Sequence, residues 1–297
     1  MTGKVLVSTG GQLEVGLRAA QPEDADACGR ICYEAFRAIG DAHGFSPDLP
    51  SAEAATGLIG MLIADPGFYA VVAHRDGEVV GSNFLDERAV VCGVGPVTVD
   101  PASQDRGVGR LLMRAVMDRA KERGAVGVRL LQAAYHNRAL ALYSSLGFAV
   151  RELVACMQGP SIGGSVSGCE VRPAGTDDLD ACNAVCAGVH GHDRAWELRD
   201  AVHHGTARVV ERDGRVTGYT TAPAFFGHTV GEATDDIKAL LAAASAFEGP
   251  GVLVPVRDSA LFRWCLASGL RVVATYTLMS TGLYGEPRGS FLPSILY

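Results

Sequence analysis

Two glycines flanked by arginines stand in the segment SQDRGVGRLL, residues 103–112. Gly107 and Gly109 carry no Cβ, so another molecule can come close to their amides. Arg106 and Arg110 add positive charge to the same place. Free amides at the start of a helix bind phosphate, whereas a simple turn uses glycines for its geometry alone. The spacing Gln-x-x-Gly-x-Gly between a strand and a helix favours a diphosphate site over that simpler interpretation.

A strand and an amphipathic helix are predicted on the two sides of this loop. Valines and a threonine in GVGPVTVDP, residues 93–101, indicate a strand that Pro101 ends. Apolar residues recur with helical spacing over residues 108–120, and Gly124 indicates the helix end. The sequence has no Gly-x-x-x-x-Gly-Lys-Ser/Thr loop, and Leu112 replaces the third glycine of the dinucleotide fingerprint. These two familiar phosphate motifs are therefore excluded.

A second segment, AAYHNRALALYSSLGF at residues 133–148, predicts a short helix that Gly147 ends. Ala139, Leu142 and Leu146 should face inward, Asn137 lies near the helix start, and Tyr143 lies on its body. A tyrosine on a helix by itself usually packs in the core or lies at the surface. Only its combination with the glycine loop indicates a role in chemistry.

The two segments together resemble the motifs of the GCN5-related N-acetyltransferase (GNAT) superfamily. The matching residues are Gln104, Gly107 and Gly109, followed by Asn137, Ala141, Leu142, Tyr143, Leu146, Gly147 and Phe148. The resemblance covers residues 17–157 well and the second half of the chain more weakly. Both motifs occur in the usual order, so the match is specific for the superfamily, but it does not identify a substrate.

The resemblance implies a mixed α+β fold that binds acyl-coenzyme A, with acetyl-CoA as the cosubstrate. In such a fold the strand pairs with the pantetheine arm and the loop holds the pyrophosphate. The cofactor-binding residues that it implies are Val97, Thr98, Val99, Gln104, Asp105, Arg106, Gly107, Val108, Gly109, Arg110 and Asn137. The implied catalytic residue is Tyr143, which would protonate the leaving thiolate. A phenol with a pKa of about 10 suits that step.

The general base is left open by the sequence. Family members that act on histones carry a glutamate eleven residues before the loop glutamine, and Gly93 stands there instead. A histone-type acetylase is therefore not expected. The candidate bases are Asp86, Glu87, a water chain and the C-terminal carboxylate of Tyr297. The final segment GSFLPSILY is uncharged and mostly apolar, which predicts that it docks on protein.

Two pairs of segments indicate an internal duplication. Residues 17–36 and 171–190 are identical at seven of twenty positions, and residues 70–81 and 207–218 at seven of twelve. Each member of the second pair carries an Arg-Asp-Gly between valines, which predicts a β-hairpin turn. Ordered matches of this kind are typical of tandem duplication.

The duplication predicts two tandem GNAT-like domains, each with a central, mostly antiparallel sheet flanked by helices. Residues 1–158 would form the acyl-CoA-binding catalytic domain and residues 169–297 a degenerate copy. Between them, residues 159–168 are rich in glycine and serine, which predicts a linker.

The second copy departs from the motifs of the first. In VGEATDD, residues 230–236, Ala233 and Asp235 replace the two glycines, and the segment is acidic where a diphosphate would lie. Cys265 stands where the first copy has Tyr143. We therefore expect the second domain to have lost acyl-CoA binding and to act as a structural partner that walls the acceptor side of the first.

Histidines and cysteines raise the question of a metal. Residues 189–205 contain His190, His192, Asp193, His203 and His204, and cysteines recur at i and i+4 as Cys28 and Cys32, then Cys182 and Cys186. Apolar neighbours around the cysteines favour core packing. Solvated or substrate-facing histidines are favoured over ligands, so no metal site is expected. The acceptor-site residues we would test are Tyr33, Phe36, His43 and Phe45.

The bulk composition narrows the class of protein. With 26 basic and 33 acidic residues the net charge is −7, which disfavours nucleic-acid and anionic-membrane partners. The sequence shows neither a membrane-spanning apolar run nor a signal peptide. Eight cysteines in mostly apolar contexts indicate free thiols in a reducing cytoplasm. A homodimer and an internal pseudo-dimer both remain open.

The leading functional hypothesis is an N-acyltransferase that moves an acetyl or other short acyl group from coenzyme A to an amine of a small molecule. Direct transfer needs no nucleophile on the enzyme, and Cys92 fits a core position better than that role. The alternatives are a GNAT-fold thioester decarboxylase and a non-catalytic module that senses acyl-CoA or another ligand.

Overall fold

The computed structural model describes residues 15–46 and 48–297. By contact density the chain divides into two compact units. The first contains the described residues up to 87 together with 92–128, and the second contains 88–91 and 129–297.

The first repeat, residues 15–158, alternates strands and helices. In chain order its elements are β1 (Gly16–Ala19), α1 (Ala25–His43), α2 (Ala52–Ala64), β2 (Phe68–Arg75), β3 (Glu78–Asp86), β4 (Val91–Val94), β5 (Thr98–Val99), α3 (Val108–Glu122), β6 (Gly127–Ala133), α4 (Asn137–Ser145) and β7 (Ala149–Gln158). The predicted linker that follows, residues 159–168, contains neither helix nor strand.

The second repeat, residues 169–297, has a similar order of elements. They are β8 (Glu170–Pro173), α5 (Leu179–His190), α6 (Ala195–His203), β9 (Arg208–Arg212), β10 (Arg215–Thr220), β11 (Thr229–Gly231), α7 (Thr234–Ala242), β12 (Val252–Pro255), α8 (Ser259–Ala267), β13 (Arg271–Gly282) and β14 (Ser290–Leu292).

In the first unit, β1, β2, β3 and β4 pair antiparallel in that order, and β5 pairs with β3. The β2–β3 turn has Asp76 at φ 52° and Gly77 at φ 88°, the left-handed pair of a tight hairpin, and Asp213 and Gly214 repeat it at 51° and 71° between β9 and β10. The two hairpin predictions are confirmed. α1 and α3 both pack against β3.

The predicted strand over residues 93–101 is interrupted. β4 ends at Val94 and β5 begins at Thr98, with Gly95 at φ 141° and Pro96 between them. A proline has no amide hydrogen to offer a neighbouring strand, so the ladder cannot run through this position. As predicted, β5 ends before Pro101, which begins a single turn of 3-10 helix.

In the second unit the two repeats exchange strands. One sheet contains the strand order β6-β13-β7-β12. β13 of the second repeat therefore lies between β6 and β7 of the first, and β7 lies between β13 and β12 of the second. β7 pairs antiparallel with both β13 and β12. The two compact units therefore do not coincide with the two repeats, because β7 of the first repeat and β13 of the second form one ladder.

A second sheet in this unit has the order β14-β11-β10-β9-β8, with antiparallel pairs throughout. β14 belongs to the final segment of the chain, and the last residue, Tyr297, is buried. The expectation that this segment docks on protein is confirmed.

The fold is a mixed α+β fold with sheets flanked by helices, as predicted. The helix cysteines Cys28, Cys32, Cys182 and Cys186 are all buried, which confirms their core packing. Over the part of the chain that the structure describes, no helix is long and apolar enough to cross a bilayer.

Candidate acyl-CoA site

The glycine loop leads from β5 to α3 in the first unit. Gln104 donates from Nε2 to the carbonyl of Val99 at 3.1 Å, which ties the loop back to β5. Asp105 has a φ of 61° and Gly107 a φ of 83°, so the chain passes twice through the left-handed region. A Cβ at Gly107 would meet nothing within 4 Å. The backbone conformation, rather than crowding within the fold, requires glycine here.

α3 begins with an open N-terminus. Gly107 is its N-cap, and no side chain caps the helix. The amides of Val108 and Gly109 therefore find no acceptor within the helix. Arg106 is exposed beside them and Arg110 is half-buried. This arrangement of amides, helix dipole and guanidinium groups can accept a diphosphate.

The predicted pantetheine-binding strand lies beside β3. Thr98 and Val99 pair with β3, while Val97 precedes them outside the strand. The hydroxyls of Thr98 and Ser82 lie 3.3 Å apart. A Cβ at Gly81 would lie 2.7 Å from the carbonyl oxygen of Thr98, so glycine permits the close approach of β5 to β3.

Asn137 and Tyr143 belong to the second unit, on α4. Asn137 is the first residue of the helix and is exposed. Tyr143 is the buried residue of α4, and its ring centroid lies 6.2 Å from that of Phe148. The residues predicted to face inward, Ala139, Leu142 and Leu146, are only half-buried. The tyrosine, not the aliphatic row, is the side chain that anchors α4.

Burial raises the pKa of Tyr143 to about 12. The phenol therefore keeps its proton throughout the physiological range. It can donate a proton to a thiolate, but it cannot serve as a base at neutral pH.

Among the candidate bases, Glu87 is engaged elsewhere. Arg119 donates to its two carboxylate oxygens at 2.5 and 2.9 Å, and Arg123 lies 3.6 Å away. These contacts tie α3 to the end of β3. The geometry disfavours Glu87 as a base and leaves Asp86, which lies at the end of β3, as the carboxylate candidate of the first unit.

At the N-terminus of α7, the counterpart in the second repeat, a buried carboxylate accepts the amide of the N-cap residue. Asp236 is fully buried, and its Oδ2 accepts the amide of the N-cap, Ala233, at 2.8 Å. Its Oδ1 accepts the hydroxyl of Thr217 at 2.7 Å and lies 2.9 Å from Nε of Arg212. The carboxylate thus puts negative charge at the helix start, and that charge opposes the binding of an external anion.

Cys265, at the position of Tyr143 in the second repeat, is also buried. Burial raises the pKa of its thiol to about 12. A thiol held protonated in this way is a packing group and not a nucleophile.

The histidines of residues 189–205 do not act as one group. His203 and His204 are exposed on and after α6, whereas His190 is buried. Nε2 of His190 lies 3.3 Å from Nε2 of His228, a residue that sequence reasoning did not connect with it. Ligand-competent atoms of Cys186, His190 and His228 all lie within 4.8 Å of one another. Their chemistry fits a soft metal ion, but the positive charge of the nearby Arg129 disfavours a cation.

Sequence reasoning also missed Arg129 on β6. It is among the largest fully buried side chains. A single arginine in the apolar run GVRLLQA is the only signal that the sequence offers for it.

Residues 33–148 match the model of the acetyltransferase (GNAT) family, whose members use acetyl-CoA. The chain is 45% identical over 64 residues to a mycothiol acetyltransferase of Nocardia farcinica, a match that spans 22% of this chain and 21% of that protein. The chain thus aligns with about a fifth of the length of this curated relative.

Solved structures are similar over nearly the whole chain. A protein of Pyrococcus horikoshii assigned to the acetyltransferases matches with a TM-score of 0.71 at 16% identity, covering 98% of this chain and 94% of its own. A GCN5-related N-acetyltransferase of Sphaerobacter thermophilus matches with a TM-score of 0.59 at 19% identity, covering 92% and 96%. A tandem GNAT protein from the clavulanic acid biosynthesis pathway matches with a TM-score of 0.54 at 13% identity, covering 91% and 98%. Residues 33–148 are thus similar to the acetyltransferase (GNAT) family, and the fold of the chain is that of a tandem GNAT protein.

Proposed function

We propose that the protein transfers an acetyl group, or another short acyl group, from coenzyme A directly to an amine of a small molecule. The observation that carries this proposal is the open N-terminus of α3, with its glycine cap and flanking arginines. The family match over residues 33–148 supports acetyl-CoA as the donor.

In this proposal the first repeat holds the donor and the second repeat has lost that role. Val97, Thr98 and Val99 pair with the pantetheine arm, residues 104–110 hold the pyrophosphate, and Asn137 lies beside the pantetheine. The domain boundaries predicted from the sequence, at residues 158 and 169, separate the catalytic copy from the degenerate one.

The reaction forms one bond and breaks one. The neutral amine attacks the thioester carbonyl, a C–N bond forms, and a backbone amide beside the strand stabilises the oxyanion. Collapse breaks the C–S bond, and Tyr143 gives its proton to the departing thiolate. The nitrogen loses a proton to Asp86 or to water, and the Tyr143 phenolate regains a proton from solvent, so the products are the amide and free coenzyme A.

A cytoplasmic location belongs to the same proposal. All eight cysteines are free thiols, which fits a reducing compartment. The acceptor is a small molecule and not a nucleic acid, in keeping with the net charge of −7.

The test is a screen that follows thiol release from acetyl-CoA with a panel of small primary amines. The similarity to a mycothiol acetyltransferase adds amines of thiol-containing molecules to that panel, with product formation then followed by mass spectrometry. We expect turnover with at least one amine and formation of its amide. Binding of acetyl-CoA without amide formation from any amine would favour the sensing module, and release of carbon dioxide from malonyl-CoA would favour the decarboxylase.

A further inference from the structure

Arg129 is a buried cation without an acidic partner. Its side chain lies on β6 and is 2% exposed. No carboxylate within residues 15–46 and 48–297 pairs with it, and its Nε has no hydrogen-bond partner. Burying an unpaired charge costs several kcal/mol, so a fold keeps such a group only when something else requires it.

Two aromatic rings hold the guanidinium group of Arg129 in place. Its central carbon lies 5.0 Å from the ring centroid of Tyr284 and 4.4 Å from that of Tyr297. Stacking of this kind stabilises the cation through the faces of the guanidinium group. All five N–H donors lie in its plane, so the rings leave those donors available to a planar acceptor.

A second buried arginine and a neutral histidine lie close to Arg129. Arg194 is buried and stacks on Tyr297 as well, at 4.7 Å, while its Nε donates to Glu197 at 2.6 Å. Burial lowers the pKa of His192 to about 4, so this histidine is uncharged at neutral pH. Glu197 therefore offsets the charge of Arg194, while the charge of Arg129 has no acidic partner among the described residues.

Unpartnered polar atoms are concentrated around the same place. Buried polar side-chain atoms without a hydrogen-bond partner include the Nδ1 atoms of His190 and His228. His190 and His192 stack on each other, and His192 Nε2 lies 3.1 Å from the hydroxyl of Tyr297. Native interiors leave few such atoms unsatisfied, so their clustering calls for a bound polar group.

We propose that Arg129 receives the carboxylate of a small-molecule ligand, in a site walled by Tyr284 and Tyr297 and made positive by the unpaired charge of Arg129 itself. A planar carboxylate matches the in-plane donors of a guanidinium group. If the proposed acetyl transfer is correct, this ligand is the acceptor amine, which would then be an amino acid or a related amino carboxylate. The binding step itself does not depend on acetyl transfer.

The charge distribution disfavours the alternative ligand that the same cluster suggests. Cys186, His190 and His228 could hold a soft metal ion, but the guanidinium groups of Arg129 and Arg194 repel a cation. Burial, followed by those two charges and other histidines, lowers the pKa of His228 well below its ordinary value. The positive charge of Arg129 therefore favours an anion over a divalent cation at this place.

The first experiment measures binding without acetyl-CoA. The thermal midpoint of the full chain is recorded in a halide-free buffer with glycine, alanine and phenylalanine and, separately, with the corresponding amino amides. We expect the carboxylates and not the amides to raise the midpoint of the wild type, and neither to raise that of Arg129→Gln. Equal shifts for acids and amides, equal shifts for wild type and variant, or no shift from any carboxylate would overturn the proposal.

The second experiment separates a binding role from a structural one. Arg129→Met removes the unpaired charge and keeps the volume, so the ligand-free protein should unfold about 2–4 °C higher. The matched control is Arg151→Met, because Arg151 also stacks on Tyr284, at 4.9 Å, but bonds to Ser280 and is exposed. A lower midpoint for Arg129→Met than for Arg151→Met would show that the stacking is structural and would overturn the proposal.

A third measurement decides between anion and metal. Cobalt(II) is added to the wild type, to Cys186→Ser and to Cys182→Ser. The last variant is the control, because Cys182 lies one helical turn from Cys186. We expect no thiolate-to-cobalt absorption in any of them. A band that disappears only in Cys186→Ser would assign the cluster to a metal and overturn the carboxylate site. None of the three measurements uses acetyl-CoA. They therefore test the carboxylate site even if the protein transfers no acetyl group.

Discussion

The starts of α3 and α7 occupy corresponding places in the two repeats, yet they have opposite chemistry. α3 begins at Gly107 with no side-chain cap and with arginines on either side. α7 begins at Ala233, and the buried carboxylate of Asp236 accepts the cap amide. Arginines at the start of α3 attract an anion, whereas carboxylates at the start of α7 repel one. The same strand-to-helix connection can thus form an anion site or a purely structural helix start, depending on a few side chains.

The surrounding framework differs much less between the repeats. The guanidinium group of Arg18 donates hydrogen bonds of 2.6 and 2.7 Å to the carboxylate of Asp24. Arg172 donates two of 2.7 Å to Asp178 in the same way. In each repeat the same carboxylate also accepts a backbone amide three residues earlier, at 2.8 Å. Duplication therefore preserved the residues that build the fold, while the residues that would meet a ligand diverged.

The largest expected effect is the loss of donor binding in Gly109→Glu. A carboxylate on the first turn of α3 brings like charge and bulk to the place where the diphosphate would lie, so affinity for acetyl-CoA should fall by about 10³-fold. Isothermal titration of the full chain measures this, with Gly109→Ala as the size control. Unchanged affinity in Gly109→Glu would show that α3 is not the donor site.

The next effect belongs to α7. Asp236→Ala leaves Arg212 without its buried partner and opens the helix start, so the free energy of unfolding should fall by about 3–5 kcal/mol. Denaturant unfolding measures the loss. The control is Asp235→Asn, whose carboxylate makes an exposed pair with Lys238 and should change stability by less than about 1 kcal/mol. Equal losses in the two variants would contradict a structural role for Asp236.

A smaller difference is expected between Tyr143 and its counterpart Cys265. Removing the phenolic proton donor in Tyr143→Phe should lower kcat by about 10²-fold, with little change in acetyl-CoA affinity. Cys265→Ser should leave kcat as it is. Because burial raises the pKa of Tyr143 to about 12, wild-type activity should show no decline from this group below pH 10 or so. Equal rates for Tyr143→Phe and wild type would remove the tyrosine from the mechanism.

The smallest effect tests the shared framework. The hydrogen bonds from Arg18 and Arg172 hold the pKa of Asp24 and Asp178 below the usual 3.8. A lowered folded-state pKa stabilises above the unfolded value and loses that contribution as the pH falls through the folded value. Asp24→Asn and Asp178→Asn should each cost about 1 kcal/mol at pH 7, and this cost should shrink as the pH falls through the folded-state pKa.

The exposed Asp26 provides the control for this pair, since Asp26→Asn removes a charge from the same helix without breaking a contact to Arg18. Chemical unfolding at a series of pH values gives the comparison. A deficit that persists at low pH would mean that the two carboxylates act through packing and not through their charge.

Much of this molecule was predictable because its signals are local. The Arg-Asp-Gly turns, the end of α3 near Gly124 and the buried cysteine faces follow from φ preferences and helical periodicity, and all are found. The strand through Gly95 and Pro96 was predicted as continuous, since its valines outweighed the proline that interrupts it. Tyr143 was identified by its motif, but its burial follows from packing against Phe148.

By itself the sequence determined the fold class, the duplication and the contrast between the two helix starts, because each depends on residues close together in the chain. Only the tertiary structure decided which strands the repeats exchange, and which side chains meet Arg129 and Asp236. Tyr284 and Tyr297 lie more than 150 residues from Arg129 along the chain. Contacts over that separation depend on strand pairing and burial, for which no local pattern in the sequence codes.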